Sequence, residues 1–279
     1  MTKHIYKHIY SFLLAAAFLF GGAGILSAQE IEWSKVPNSF SYDIRWGSIT
    51  HGYNNLGQDL FIVFGYDSEH DQDVISTSKD GLNWTTPLNP QSEEDPSQVS
   101  WGSAIYSKEK GLFVAVGKGY YDQTGYVMTS EDGESWLINE DAKTENIYWS
   151  SVTYGYDDDG DGLFVAVGRT SGDSGVSMTS TNGIAWSDPQ VIEGQAELFS
   201  VTYSKEKGLF VAAGGYSGNQ ISTSNDGLNW EIQETPEPFG SAWMSVTYSK
   251  EKGLFVAVGY RYSNPTFYGM VMTSEDGKN

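Results

Sequence analysis

The chain has 279 residues with 32 Gly, 13 Phe, 18 Tyr, 9 Trp, no Cys and a formal net charge of -20. The absence of cysteine excludes a disulfide framework, thiolate metal sites and a cysteine nucleophile, and the acid excess argues against nucleic-acid binding, which needs a positive groove. A hydrophobic content of 39% is enough to build a core and sets the chain apart from disordered acidic sequences.

Lys3 and Lys7 precede residues 11–28, an uncharged stretch centred on Phe12-Leu13-Leu14 and ending Gly- and Ala-rich. This is the pattern of a secretory signal peptide, with cleavage expected after Ala28. The stretch is short for a membrane anchor, and no cysteine follows it for lipid attachment. The remaining protein is expected to be secreted, periplasmic or on the cell surface, without a membrane span.

Residues 29–279 repeat one unit. Leu-Phe pairs recur at Leu60-Phe61, Leu112-Phe113, Leu163-Phe164, Leu209-Phe210 and Leu254-Phe255, at spacings of 45 to 52 residues. Upstream of each lies an aromatic-small-β segment, as in Trp149-Ser-Ser-Val-Thr-Tyr154 or Trp243-Met-Ser-Val-Thr-Tyr248. Downstream come Ile75-Ser-Thr-Ser78, Val127-Met-Thr-Ser130, Ser177-Met-Thr-Ser180, Ile221-Ser-Thr-Ser224 and Val271-Met-Thr-Ser274. A turn and a tryptophan then follow at Asp80 and Trp84, Asp132 and Trp136, Asn182 and Trp186, and Asp226 and Trp230, while Asp276 opens the fifth turn. Each unit thus holds four short β segments separated by Gly, Asp, Asn and Ser turns, with no helical period. Four antiparallel strands at this period predict the blade of an all-β propeller, with blades at about 46–84, 101–136, 149–186, 198–230 and 243–279.

The fifth unit stops at Asp276-Gly277-Lys278-Asn279, one residue short of the repeated Trp. Ile31-Glu-Trp33-Ser-Lys-Val-Pro37 is similar to Ile184-Ala-Trp186-Ser-Asp-Pro189. Two readings follow: a five-bladed ring closed by an N-terminal strand over residues 31–36, or a truncated six- or seven-bladed propeller.

The Ser-x-Asp-Gly turns followed by Trp resemble the Asp-box, or BNR, repeats of sialidase-like propellers, although here Gly follows Asp or Asn directly. The resemblance covers residues 31–279 and implies a propeller in which the box residues are structural and lie away from the active face.

In such a blade the near-identical turns Ser107-Lys-Glu-Lys-Gly111, Ser204-Lys-Glu-Lys-Gly208 and Ser249-Lys-Glu-Lys-Gly253 share one rim, and the variable loops share the other. Recognition is expected on the variable rim. Its candidate ligand-binding residues are Tyr66, Tyr120, Tyr121, Arg169, Tyr216, Arg261, Tyr262 and Tyr268, whose aromatic faces suit stacking on sugars or gripping a polypeptide. Arg45, Arg169 and Arg261 fall on this rim, and the resemblance implies three arginines for a substrate carboxylate. However, the family's Arg-Ile-Pro signature is absent, and the acid excess on this rim repels an anionic sugar.

Asp157-Asp-Asp-Gly-Asp-Gly162 replaces the scaffold turn in the third unit. Asp157, Asp159 and Asp161 reproduce the first half of a calcium loop, but Gly168 stands where its bidentate Glu belongs. A structural Ca²⁺ is one reading and a solvated acidic hairpin the other; no cofactor is required. After residue 28 the only histidines are His51, at a repeated Tyr position, and His70, in a loop, and no catalytic motif stands out. The sequence therefore predicts an exported, monomeric, non-enzymatic propeller that binds a neutral glycan or a protein partner. The competing expectations are a sialidase-like glycoside hydrolase using rim carboxylates and a propeller assembly factor.

Overall fold

The computed structural model describes residues 43–86, 88–89, 99–215, 220–236, 241–263 and 266–279. Five antiparallel sheets follow one another as the blades of a propeller. Blade one contains β1 (Ile44–Tyr53), β2 (Asp59–Asp67) and β3 (Gln72–Ser78). Blade two contains β4 (Val99–Ser107), β5 (Leu112–Gly119), β6 (Thr124–Ser130) and β7 (Leu137–Ile138), with β8 (Thr144–Glu145) also pairing with β6. Blade three contains β9 (Ile147–Tyr156), β10 (Gly162–Thr170), β11 (Ser174–Ser180) and β12 (Gln190–Ala196). Blade four contains β13 (Leu198–Ser204), β14 (Leu209–Gly214), β15 (Gln220–Ser224) and β16 (Glu231–Gln233). Blade five contains β17 (Ser241–Ser249), β18 (Leu254–Ser263) and β19 (Thr266–Ser274). The fourth place of blade one is taken by a short bridge from Leu88 to Ile75. The expected signal peptide and closing strand lie outside the described residues.

The second strand of each blade is the most apolar, and in blades two to four it is covered on both faces. In β5 and β10 the residues Phe113–Val116 and Phe164–Val167 are fully buried. The first strands of successive blades pack in chain order, β1 on β4, β4 on β9, β9 on β13 and β13 on β17. The repeated Ser-Val pair makes this joint. After a bulge the Ser hydroxyl accepts the backbone N–H of the next blade's Val: Ser103 from Val152 at 3.3 Å, Ser151 from Val201 at 3.2 Å and Ser200 from Val246 at 3.2 Å. A small hydroxyl residue there both permits close approach and satisfies a donor on the edge of the next blade's first strand, which pairs with only one neighbour in its own sheet.

The Ser-x-Asp-Gly turns explain themselves atom by atom. In blade two Ser130 Oγ accepts the Gly133 N–H at 2.7 Å, and Asp132 Oδ1 accepts those of Glu134 at 2.8 Å and Ser135 at 2.7 Å. Asn182 does the same work with its amide oxygen in blade three. Such bonds hold the Asp80 and Asp276 carboxyls well below the ordinary Asp range. The Gly of each turn has φ between 73° and 79°. At Gly133 and Gly227 a Cβ would also strike the preceding blade, coming within 2.3 Å of Leu60 and 2.5 Å of Val165. Trp136 then wedges between blades, 5.4 Å from the ring of Phe64 and 6.2 Å from that of Phe113, and donates to the Gly133 carbonyl at 3.1 Å. Trp84, Trp186 and Trp230 make the same bond to Gly81, Gly183 and Gly227.

On the conserved-turn rim, Ser107, Ser204 and Ser249 cap their own turns while the Lys and Glu side chains reach neighbouring blades. Lys108 lies over Tyr53, Lys205 over Tyr156, and Lys250 pairs with Glu206 at 3.3 Å. This rim is therefore a structural belt, and His51 belongs to it, 4.7 Å from the Phe61 ring and bonded to Asp59.

Candidate functional site on the variable rim

The opposite rim gathers three groups of side chains. The first is an aromatic platform at blades one and two. Tyr66, at the end of β2, lies 6.0 Å from Tyr120 beyond β5, and Tyr120 lies 6.4 Å from Tyr121. Tyr120 is 44% and Tyr121 76% exposed. The Tyr66 hydroxyl donates to Asp71, and this bond to a carboxylate pushes its pKa up to about 12. Tyr66 is thereby fixed as a neutral, oriented ring. Behind it, Asp67 and His70 pair at 2.8 Å, which lowers the Asp67 pKa and raises that of His70. Asp73, opposite Tyr66 in the sheet, is buried, and burial pushes its carboxyl up to about 7. Its Oδ2 has no hydrogen-bond partner among the described residues.

The second group is ionic and spans blades two to four. The Arg169 guanidinium lies 4.7 Å from the centre of the Tyr148 ring, with Lys118 6.0 Å from the same ring. Arg169 also holds Asp173 at 2.5 Å and Glu197 at 3.3 Å. Burial raises the Glu197 pKa, and Arg169 opposes that shift. Beside this cluster a groove of about 700 Å³ runs between blades three and four, bordered by Asp173, Glu193, Gln195 and Gln220. The buried Gln195 amide accepts from Ser222, and its Nε2 has no partner among the described residues.

The third group is on blade five, where Arg261 lies over Tyr268 at 5.5 Å and Tyr262 packs on Phe267 at 4.8 Å. Tyr216 lies outside the described residues. Thus Tyr66, Tyr120 and Tyr121 come together, Tyr262 and Tyr268 flank Arg261 and Phe267, and Arg169 stands in a separate ionic cluster. Lys118, Tyr148 and Glu197 were not singled out from the sequence. Lys118 had a readable signal: it follows the Gly that ends the conserved run of β5, as Tyr66 and Arg169 do in β2 and β10.

The acidic turn of blade three has an internal use. Asp157 Oδ1 accepts the N–H groups of Asp159 at 3.1 Å and Asp161 at 2.8 Å, capping the turn much as Ser107 does in blade two. Among the described residues no group of three or more His, Asp or Glu is placed to hold a metal ion, and Asp157, Asp159 and Asp161 are no exception. No described helix is long and apolar enough to cross a membrane.

No protein-family model matches the chain, and no curated protein does. Among solved structures it is similar to a protein of unknown function from Dyadobacter fermentans, at 17% identity and a TM-score of 0.54, covering 84% of this chain and 80% of that one. It is also similar to an α-L-arabinanase from Penicillium chrysogenum complexed with arabinobiose, at 13% identity and a TM-score of 0.51, covering 81% and 76%. An exo-β-1,3-galactanase from Phanerochaete chrysosporium, at 14% identity and a TM-score of 0.48, is covered over only 59% of its length by 80% of this chain. The first two of these likenesses show the propeller fold.

Proposed function

We propose that this propeller is an exported, non-enzymatic recognition module that binds a neutral glycan on its variable rim. The observation that carries the reading is the Tyr66–Tyr120–Tyr121 platform. Exposed ring faces give a sugar apolar contact, and a carboxylate such as Asp71, bonded to Tyr66, can accept a hydroxyl hydrogen bond. The acidic surroundings favour a neutral sugar over an anionic one. The arabinobiose complex of the Penicillium arabinanase supports looking among neutral oligosaccharides. In this reading the Ser-x-Asp-Gly turns are boxes of the Asp-box type, serving the scaffold.

The test is binding to a neutral glycan array followed by titration calorimetry. Tyr120→Ala combined with Tyr121→Ala should weaken the best ligand by at least about tenfold, corresponding to loss of stacking on two rings. An unchanged isotherm overturns the platform.

A hydrolytic reading draws on Asp73, whose pKa of about 7 suits a general acid. It requires a second carboxylate facing the same bond. Release of reducing sugar from arabinan or galactan, abolished in Asp73→Asn, would favour this reading over the first.

A further inference from the structure

The joint between blades three and four is built differently from its neighbours. Each of the other three joints between consecutive blades holds a Trp from near the start of a first strand, together with an aliphatic residue and a Met from the facing third strands. These are Trp101 with Ile75 and Met128, Trp149 with Val127 and Met178, and Trp243 with Ile221 and Met272. By strand register the matching residues at the third joint are Leu198, Ser177 and Ser222. All three are fully buried, and none replaces the volume of its counterparts. A close-packed interior does not tolerate that much missing volume unless something else occupies it.

Part of the space is taken by β12. This strand leaves β11 after Val191 and returns to it at Ala196, with Gly194 at φ 77° in the bulge between. Ile192 and Gln195 are the buried residues of the bulge, Gln195 being 3% exposed. Blade four pins the bulge from outside: Gln220 donates to the Gly194 carbonyl at 2.8 Å and accepts the Ala196 N–H at 2.9 Å. The two serines also have polar uses. Ser177 accepts from Trp230 Nε1 at 3.0 Å, and Ser222 donates to Gln195 Oε1 at 2.5 Å. Gln195 Nε2 alone is left without a partner among the described residues, and a buried amide donor in that state is costly.

The rest of the space is the groove of about 700 Å³, lined by the bulge, by Gly172-Asp173-Ser174 and by Gln220. Pockets of about 300–1,000 Å³ suit small organic ligands, so one or two sugar rings fit. No aromatic ring lines the groove, and its polar groups set the ligand chemistry. The Asp173 and Glu193 carboxylates only accept hydrogen bonds, while Gln195 holds a spare donor. A complementary ligand brings several hydroxyl donors, at least one oxygen acceptor and no negative charge.

We infer that this groove is a second sugar site, which takes a neutral mono- or disaccharide through its hydroxyls with Gln195 as the recognition residue. The bulge that carries Gln195 is already held by Gln220, so little ordering is left for binding to bring about. The inference does not rest on the tyrosine platform, which belongs to blades one and two and shares no residue with the groove.

The probes are glucose, galactose, arabinose and a disaccharide of each, titrated into the full chain while the Gln195 side-chain amide is followed by nitrogen-15 NMR. At least one sugar is expected to shift that amide saturably, and no shift with any of them overturns the site. Calorimetry with the same sugar then separates the two sites. Gln195→Met keeps the side-chain length and gives this joint the thioether that the others carry; it should weaken binding by at least about tenfold in a protein that still melts cooperatively. Tyr120→Ala combined with Tyr121→Ala should leave that affinity unchanged. Binding that survives Gln195→Met, or that is lost only in the tyrosine double variant, assigns the sugar elsewhere and overturns the inference.

Discussion

Blades two and five share the strand sequence Gly-Leu-Phe-Val-Ala-Val-Gly and the segment Val-Met-Thr-Ser, yet the same residues meet different surroundings. Val127 of β6 is fully buried beneath blade three, whereas its counterpart Val271 of β19 is 70% exposed. Blade one mirrors this on its other side, where Ile49 is 62% exposed while Ala104, Val152, Val201 and Val246 in the later blades are buried. Burial in this molecule is thus assigned by position in the series and not by sequence. A residue type suited to packing is repeated even where no described neighbour covers it.

The sharpest way to break the comparison is to put a charge at the shared position. Val127→Asp should cost more than about 4 kcal/mol and abolish cooperative unfolding, while Val271→Asp should change stability by less than about 1 kcal/mol. Urea unfolding monitored by tryptophan emission checks both. A large penalty at Val271 would mean that this face is covered in solution. Next in size is Trp136→Ala, which should cost about 3–5 kcal/mol by emptying the joint between blades one and two.

A smaller, pH-resolved effect concerns blade one. The raised pKa of Asp73 means that the folded state keeps a proton that the unfolded chain releases between about pH 4 and pH 7. Stability should therefore fall as pH rises through that window, and Asp73→Asn should remove the slope and stabilise the protein at pH 8 by about 1–3 kcal/mol. The turn carboxylates work in the opposite sense. With their pKa values lowered, Asp80, Asp132, Asp226 and Asp276 contribute in full above the unfolded Asp pKa and lose that contribution as pH falls below it. The wild-type profile should accordingly peak near the lower edge of the Asp73 window. A flat profile from pH 4 to pH 8 would remove Asp73 as a buried acid. The smallest effect is expected from calcium: saturating Ca²⁺ or chelator should move the melting temperature by less than about 1 °C, because Asp157 already caps its own turn.

Much of the scaffold was legible because its causes are local. Gly follows the turn Asp because positive φ is needed there, and the Trp four residues beyond that Asp is the plug that the turn aims. The four strands per unit follow from alternation and turn residues in the same way. What could not be read was anything made between blades. Ser103, Ser151 and Ser200 looked like ordinary strand residues, and only the edge N–H of the next blade's first strand shows why a hydroxyl faces it. On the variable rim, Tyr66, Tyr120 and Tyr121 were found as residue types, but their meeting depends on how two loops of different lengths fold toward each other. Arg169 was read as a ligand-facing cation; the structure surrounds it with Tyr148, Asp173 and Glu197, partners scattered over 50 residues. Asp73 gave no signal at all, because burial of a carboxyl at a strand start is decided by the loops above it.

The Ser-x-Asp-Gly turns and their Asn counterpart have a further consequence for how the protein is made. Gly133, Gly183, Gly227 and Gly277 each press on the blade before their own, never on the one after. A nascent chain therefore meets its packing partners in the order of synthesis, each newly translated hairpin sealing a sheet that has already left the ribosome. Assembly gains a direction from this, with each blade packing onto the one made before it.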